Sequence, residues 1–104
     1  MKWRLHRTDL ADADLIDIWN YIAADNPVAA GRQIEKLTGL FESTLDFPRK
    51  GRPVPELSPG HRILQHGSYL LIYHLDEANK LVTLIRVVHA ARDWLKLFSE
   101  GDLD

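Results

Sequence analysis

The stretch of sequence that decides the fold runs from residue 61 to residue 89 and reads HRILQHGSYLLIYHLDEANKLVTLIRVVH. In its first half, the runs 61–66 and 69–75 carry Ile, Leu and Tyr, residue types that favour β-strands. These runs flank Gly67-Ser68, a two-residue turn with glycine first, which is typical of a type II′ hairpin. We therefore predict an antiparallel hairpin centred on this turn.

The short turn also fixes which residues face each other across the hairpin. It pairs Gln65 with Leu70, Leu64 with Leu71, Arg62 with Tyr73, and His61 with His74. A second turn near residues 77–80 then leads to a third predicted strand over 81–89. The last two strands are apolar on both faces, with Val82, Leu84 and Val88 on one face of the third strand and Ile85 and Val87 on the other. Since a sheet covered on one side alternates apolar and polar residues, we expect some apolar sheet or helix surface to await a partner.

The N-terminal half predicts a short strand and two helices. The strand lies near residues 2–7. Apolar residues at helical spacing then predict a helix of about 10–24, capped by Asp9. Asn26-Pro27 begins a second helix of about 27–46, because asparagine suits the cap and proline the first helical position. The tight connection makes the two helices an antiparallel hairpin.

The remaining segments complete an α+β fold. Residues 48–60 hold four prolines and two glycines, which predicts a loop without a regular element. Residues 90–98 predict a short C-terminal helix, and the acidic tail of about 97–104 is expected to be flexible. We predict a single domain over 1–104, with an N-terminal strand, an antiparallel helical hairpin packed on a small antiparallel sheet, and the C-terminal helix.

The composition excludes several classes of protein. The chain has no cysteine, which excludes disulfides, thiolate metal sites and cysteine nucleophiles. Its formal net charge of −2 argues against a protein that coats nucleic acid non-specifically. No apolar run approaches the ~18 residues of a membrane span, and the N-terminus lacks the apolar stretch of a signal peptide. We therefore expect a cytoplasmic protein that has no contact with a membrane.

The near-neutral total conceals a segregation of charge. Residues 9–25 hold five acids and no base, whereas residues 49–96 hold eight bases and four acids, a net of +4. Residues 97–104 hold three acids and no base. This pattern predicts a basic face for one acidic protein partner, or a small patch that faces phosphate.

The sequence contains no complete catalytic or metal-binding motif. The predicted His61–His74 pair lacks a third ligand, so we predict no metal and no other cofactor. No serine stands in the context of a hydrolase nucleophile. The segment Arg49-Lys50-Gly51-Arg52 lacks the frame of a P-loop, and it fits either a solvated loop or a surface for phosphate or an acidic partner.

Charged side chains inside the predicted elements carry more information. Asp12, Asp14 and Asp17 are interpreted as a solvated face of the first helix. Arg62 and Arg86 lie within strands otherwise built of Ile, Leu and Val, where a guanidinium must find partners or face a cleft. A salt-bridge network at the sheet edge and a functional cleft both remain open at this point.

The chain contains a set of short motifs whose order and spacing match those of a known family. The motifs are Ala13-Asp14-Leu15, Ile18-Trp19-Asn20-Tyr21-Ile22-Ala23, Asn26-Pro27-Val28-Ala29-Ala30, Pro48-Arg49-Lys50-Gly51-Arg52, Glu56-Leu57, Arg62, Gly67-Ser68-Tyr69, Ile72-Tyr73 and Val87-Val88-His89-Ala90-Ala91-Arg92-Asp93. Over about residues 8–95 they resemble the ParE branch of the RelE/ParE superfamily, the toxins of type II toxin–antitoxin systems. Each motif is weak alone, and the set is specific.

The resemblance implies a plasmid-stabilisation toxin that a cognate ParD-like antitoxin holds inactive in a hetero-oligomer. DNA would be contacted only indirectly, through the antitoxin. Because characterised ParE-like members poison DNA gyrase, the resemblance also implies a gyrase inhibitor that blocks replication and has no catalytic residue. The candidate residues for target binding and toxicity are Arg62, Tyr69, Tyr73, Arg86, His89 and Arg92.

Two alternatives stay open. RelE-like members cut messenger RNA on the ribosome with basic residues on the sheet face and, commonly, a C-terminal tyrosine. Here the strand around residues 69–72 is apolar and no tyrosine follows Tyr73. The other alternative is a toxin fold that has lost its toxicity and serves with its antitoxin as a co-repressor.

Overall fold

The computed structural model of the protein describes residues 2–99. The elements are β1 (Arg4–Arg7), α1 (Asp9–Ala23), α2 (Pro27–Glu42), β2 (Arg52–Pro53), β3 (His61–His66), β4 (Tyr69–Asp76), β5 (Leu81–His89) and α3 (Trp94–Ser99). A short 3-10 helix, Ser43–Leu45, follows α2, so the second α-helix ends before the predicted residue of about 46. Of the tail predicted to be flexible, residues 97–99 belong to α3 and residues 100–104 lie outside the described residues. No helix within residues 2–99 is long and apolar enough to cross a membrane.

The strands form one sheet in the order β1-β5-β4-β3-β2. β1 lies parallel to β5, whereas the other neighbouring strands pair antiparallel. The fold is therefore α+β, as predicted, with the helical hairpin of α1 and α2 between β1 and the antiparallel strands in chain order. This order brings the N-terminal strand to the far edge of the sheet, beside the C-terminal strand.

Each face of the sheet carries its own hydrophobic core. On one face α1 and α2 pack against the sheet through buried residues that include Leu15, Leu37 and Phe41. On the other face α3 and the segment around Val54 cover a second cluster. The two-sided apolar pattern of β4 and β5 is thus satisfied within the chain. The large apolar side chains that stay exposed are Leu10, Ile16, Trp19, Tyr21, Val28, Leu45, Phe47 and Leu95.

The predicted hairpin is confirmed in position and register. β3 and β4 pair Gln65 with Leu70, Leu64 with Leu71, Arg62 with Tyr73, and His61 with His74. Gly67 has a φ of +56°, and Ser68 does not share a positive φ, which agrees with a turn of type II′. The third strand also spans the predicted residues, 81–89.

Local details in the N-terminal half and in the loop depart from the prediction. Thr8, and not Asp9, caps α1, because its hydroxyl accepts the Ala11 N–H at 3.0 Å. The predicted cap of α2 is confirmed, since the Asn26 side chain accepts from Ala29 at 3.1 Å. The loop of residues 48–60, predicted to lack a regular element, contains the two-residue strand β2.

A β-bulge in β5 changes which side chains share a face. Ile72 of β4 pairs with Arg86 while Tyr73 pairs with Leu84, so Ile85 is an extra residue in β5. Beyond the bulge the alternation is shifted by one position. Val87 therefore joins Leu84 in the core beneath the helices, which corrects the predicted assignment of Leu84 and Val87 to opposite faces.

Candidate functional site

The six candidate residues divide into two groups. Tyr73 is completely buried, Arg86 is 7% exposed and Arg62 is half-buried. Tyr69 is half-buried, while His89 and Arg92 are exposed near the C-terminal end of β5. The structure therefore does not bring the six together into one cleft, and the inner and outer groups need separate accounts.

Arg86 is held by a charged partner on α1. Its Nε and Nη2 donate to the Asp14 carboxylate at 2.7 and 2.9 Å, and the Val87 N–H donates to the same carboxylate at 2.9 Å. The Thr8 hydroxyl donates to the Ile85 carbonyl at 2.8 Å. We call this set the bulge clasp, in which Thr8 and Asp14 hold residues 85–87. Such a bidentate pair stabilises both charges only while both partners are present.

The internal role of Asp14 is one that sequence reasoning missed. Its side chain is only 13% exposed, so the interpretation as part of a solvated helix face is wrong for this residue. Asp12 does lie nearer the surface, where it pairs with Arg7 at 2.9 Å. Arg86 was the one indication in the sequence of such a role, because a guanidinium within an apolar strand needs an acidic partner.

Tyr73 and Arg62 hold the main chain of the loop after α2. The Tyr73 hydroxyl donates to the Pro48 carbonyl and accepts the Gly51 N–H, both at 2.9 Å. Arg62 Nη1 donates to the carbonyls of Arg49 and Gly51 at 2.9 and 2.7 Å. We call this set the loop anchor. Burial raises the pKa of the Tyr73 hydroxyl above its ordinary value, and the hydrogen bond from Gly51 and the charge of Arg62 act against that rise.

Tyr73 and Arg86 are engaged in internal contacts. Tyr73 has no exposed surface and Arg86 is 7% exposed, so both offer little area to another molecule in this conformation. Arg62 is intermediate, since part of its surface is exposed while one nitrogen serves the loop. Of the two alternatives for Arg86, an internal salt-bridge network and a cleft, the structure shows an internal ion pair. Its partner is Asp14 of α1, and not a residue along the edge of the sheet.

Tyr69, His89 and Arg92 lie together where β4 begins and β5 ends. Tyr69 pairs with His89 in the sheet, and their rings meet edge to face with centroids 5.6 Å apart. The His89 Nδ1 accepts the Ala91 N–H at 3.1 Å, so a neutral His89 carries its proton on Nε2. In this tautomer Nε2 is a hydrogen-bond donor, and the basic nitrogen, Nδ1, already accepts the Ala91 N–H.

The His61–His74 pair is confirmed, with ring centroids 4.9 Å apart. His61 is nearly buried and shares a hydrogen bond of 2.5 Å between its Nδ1 and the Ser58 hydroxyl. Burial lowers the pKa of His61 and the neighbouring His74 lowers it further, whereas a backbone hydrogen bond with Ser58 acts in the opposite direction. Within residues 2–99, no three His, Asp or Glu side chains gather as a metal site would require.

An open groove of about 450 Å³ lies on the helical hairpin, beside the end of β1. It is lined by Arg7, Asp12, Leu15, Ile16, Trp19, Ile34 and Thr38. Ile16 is 60% exposed and Trp19 is 43% exposed, so the groove presents apolar surface to solvent. Exposed apolar surface of this kind is a common feature of sites that bind another molecule.

Comparison with known protein families gives a match over most of the chain. Residues 5–94 match the family model described as ParE toxin of type II toxin–antitoxin system, parDE. The toxin candidate Y4kP of Sinorhizobium fredii is 26% identical over 94 residues, which cover 90% of this chain and 91% of that protein.

Solved structures share the fold. The chromosomal ParDE toxin–antitoxin system from P. aeruginosa aligns with a TM-score of 0.69 at 20% identity, covering 85% of this chain and 96% of the other. The toxin–antitoxin complex RelBE2 from Mycobacterium tuberculosis aligns with a TM-score of 0.61 at 24% identity, covering 86% and 99%. A mutant of E. coli toxin RelE in the free state aligns with a TM-score of 0.62 at 20% identity, covering 97% and 95%.

Proposed function

The chain belongs to the ParE toxin family of type II toxin–antitoxin systems, and from this premise we propose that it inhibits DNA gyrase and is neutralised by a cognate ParD-like antitoxin. On this proposal the toxin acts by binding and not by cleaving a substrate. It works in the cytoplasm as a single domain, it forms a hetero-oligomer with the antitoxin, and it contacts DNA only through that partner.

The internal use of the candidate residues supports an inhibitor over a ribonuclease. Cleavage of RNA needs a base for the 2′-hydroxyl, a cation for the phosphate and an acid for the leaving oxygen. Arg86 is committed to Asp14, and the Tyr73 hydroxyl is buried in the loop anchor. Among the six candidates, His89 and Arg92 remain exposed, and the tautomer of His89 disfavours its action as a base.

The groove on the helical hairpin supports an antitoxin partner. Its exposed Ile16 and Trp19 offer apolar area to a segment that wraps the toxin. Asp12 and Arg7 also line this groove and pair with each other, so an antitoxin segment can meet a charge of either sign beside its apolar contacts. A segment that folds on binding gains its affinity from buried area, and this open groove offers exposed apolar side chains for such a segment to bury.

A supercoiling assay with purified gyrase tests the proposal. Added wild-type toxin is expected to inhibit supercoiling, and stoichiometric antitoxin is expected to restore it. In growing bacteria the toxin should cause filamentation and a DNA-damage response. Normal supercoiling at saturating toxin would contradict gyrase as the target. Rapid loss of translation with cut messages would instead favour the ribonuclease, and normal growth would favour the co-repressor.

A further inference from the structure

The loop after α2 has an unusual combination of a fixed backbone and exposed side chains. Pro48, Gly51 and Val54 are buried, and the residues between them are exposed, so every third residue points inward. The loop anchor fixes this backbone with four hydrogen bonds from Tyr73 and Arg62. A connector that only links two elements has no need of a buried tyrosine to shape it.

The side chains displayed by this loop are an aromatic ring and two cations. Phe47 is 67% exposed, and together with Asp46, Pro48, Arg49 and Lys50 it lines a shallow pocket of about 410 Å³. We call these five residues the loop platform. Because a large aromatic residue gains nothing from exposure to water, its rigid display is typical of a binding surface.

The partners that Arg49 and Lys50 have within the chain are replaceable. Arg49 pairs with Glu77 at 2.5 Å, and the two side chains are 57% and 51% exposed. Lys50 Nζ donates to the Ser43 hydroxyl at 2.8 Å on the surface. Surface contacts of this kind contribute little to stability, so a carboxylate of a partner can take over either cation at small cost.

We propose that the toxin binds its protein target through the loop platform, an assignment that rests on the proposed function. The target surface would present a carboxylate to Arg49 and Lys50 and an apolar side chain to the ring of Phe47. The segment Arg49-Lys50-Gly51-Arg52 fitted either a solvated loop or a surface for phosphate or an acidic partner. On this proposal it contributes to a binding site for an acidic partner.

The chemistry of the platform favours a folded protein over nucleic acid and over the antitoxin. Asp46 and Glu77 balance the charges of Arg49 and Lys50, so the platform lacks the net positive charge that a polyphosphate backbone needs, whereas a single carboxylate needs only one cation. A small, pre-shaped platform matches a folded surface, because neither side needs to be ordered on contact. The apolar groove on the helical hairpin, with Ile16 and Trp19 exposed, is the better match for a wrapping segment.

Alanine substitutions on the platform test the proposal. The variants are Phe47→Ala and the double variant Arg49→Ala/Lys50→Ala. Their matched controls are Tyr21→Ala, which removes an aromatic ring that is 81% exposed, and Arg32→Ala/Lys36→Ala, which removes two exposed cations of α2. Thermal unfolding and antitoxin affinity are measured for every protein, together with the concentration that half-inhibits gyrase and the toxicity in growing cells.

We expect each platform variant to need at least about 10-fold more toxin for half-inhibition, while unfolding, antitoxin affinity and the controls stay at the wild-type value. Wild-type potency in both platform variants would overturn the proposal and leave gyrase inhibition standing. A loss of antitoxin affinity with unchanged potency would assign the platform to the antitoxin and overturn the target assignment.

If the wild type leaves gyrase unaffected, gyrase as target fails, and toxicity in cells decides about the platform. Toxicity lost in the platform variants and kept in the controls would then support a grip on another target. Equal toxicity in all variants, or a wild type without toxicity, would overturn the platform as well.

Discussion

The bulge clasp and the loop anchor perform the same task with different chemistry. Each uses side chains to hold main-chain groups that the sheet leaves without partners. In the clasp, Asp14 reaches β5 across 73 positions of sequence and carries a charge opposite Arg86. In the anchor, Tyr73 and Arg62 hold neutral carbonyls and one amide of the loop.

The difference between them lies in what happens when one partner is lost. A buried charge whose counter-ion is removed has no water to replace it, so the remaining half costs more than the pair contributed. A neutral main-chain group that loses its partner costs only the desolvation of one uncharged hydrogen-bonding group, which is less than the cost of an unpaired buried charge. We therefore expect the clasp to be the more fragile element, whereas the anchor decides how well the loop platform is displayed.

The strongest test of the clasp removes its acid. Asp14→Ala is expected to lower the free energy of unfolding by about 3–5 kcal/mol, because the carboxylate serves Arg86 and the Val87 amide in a nearly buried position. Urea unfolding measures the change. The matched control is Asp17→Ala, an exposed acid on the same helix, which should change stability by less than about 0.5 kcal/mol.

A second variant separates the charge from the shape of the site. Asp14→Ala/Arg86→Met removes both charges and is expected to be more stable than Asp14→Ala alone, since no buried cation then lacks its carboxylate. If the double variant is the less stable of the two, the charge pair is not what makes the clasp fragile.

The anchor is tested most strongly at Gly51. A Cβ at this position would lie 2.6 Å from the Tyr73 hydroxyl oxygen and 2.8 Å from the Ile63 carbonyl oxygen. Gly51→Ala is therefore expected to lower the free energy of unfolding by about 1–3 kcal/mol. Gly39 has nothing within 4 Å of its Cβ position, so Gly39→Ala should raise stability by about 0.5–1 kcal/mol. Equal effects at the two glycines would show that the loop does not pack tightly on Tyr73.

The sequence predicted the parts of the fold that local patterns determine. The Gly67-Ser68 turn fixes the register of β3 and β4 because a two-residue loop leaves no other pairing. Asn26-Pro27 likewise places the start of α2. In both cases the deciding residues are neighbours in the chain, so one short segment contains the whole physical argument.

The parts that the sequence did not predict depend on distant partners. The extra residue Ile85 leaves no mark in an apolar run, since its carbonyl is held by Thr8, 77 positions away. The role of Asp14 was hidden for the same reason. Among the candidate residues, the need of Arg62 and Arg86 for partners could be predicted, because a guanidinium cannot lose its charge in an apolar strand, but the identity of the partners could not.

A milder test of the anchor removes one oxygen atom. Tyr73→Phe keeps the ring in the core and takes away the hydroxyl that joins Pro48 to Gly51. We expect the free energy of unfolding to fall by about 1–2 kcal/mol, less than for Asp14→Ala, because neutral groups are left behind. Tyr21→Phe, at an exposed tyrosine, is the control and should show no change. A loss equal to that of Asp14→Ala would remove the distinction between charged and neutral holding groups.

The smallest expected effect is a pH dependence of stability that arises from His61, which is hydrogen-bonded to Ser58 of the loop. Burial and His74 lower the pKa of His61 below its ordinary 6.5 in the folded state. Below pH 6.5 the unfolded chain therefore binds a proton more readily than the folded one, so stability is complete above that pH and falls as the pH decreases towards the lowered pKa. Thermal unfolding from about pH 8 to about pH 5 measures the slope. Because carboxylates also weaken the protein in acid, the contribution of His61 is the part of the slope that His61→Asn removes. An identical slope in that variant would mean that protonation of His61 does not contribute to the pH dependence of stability.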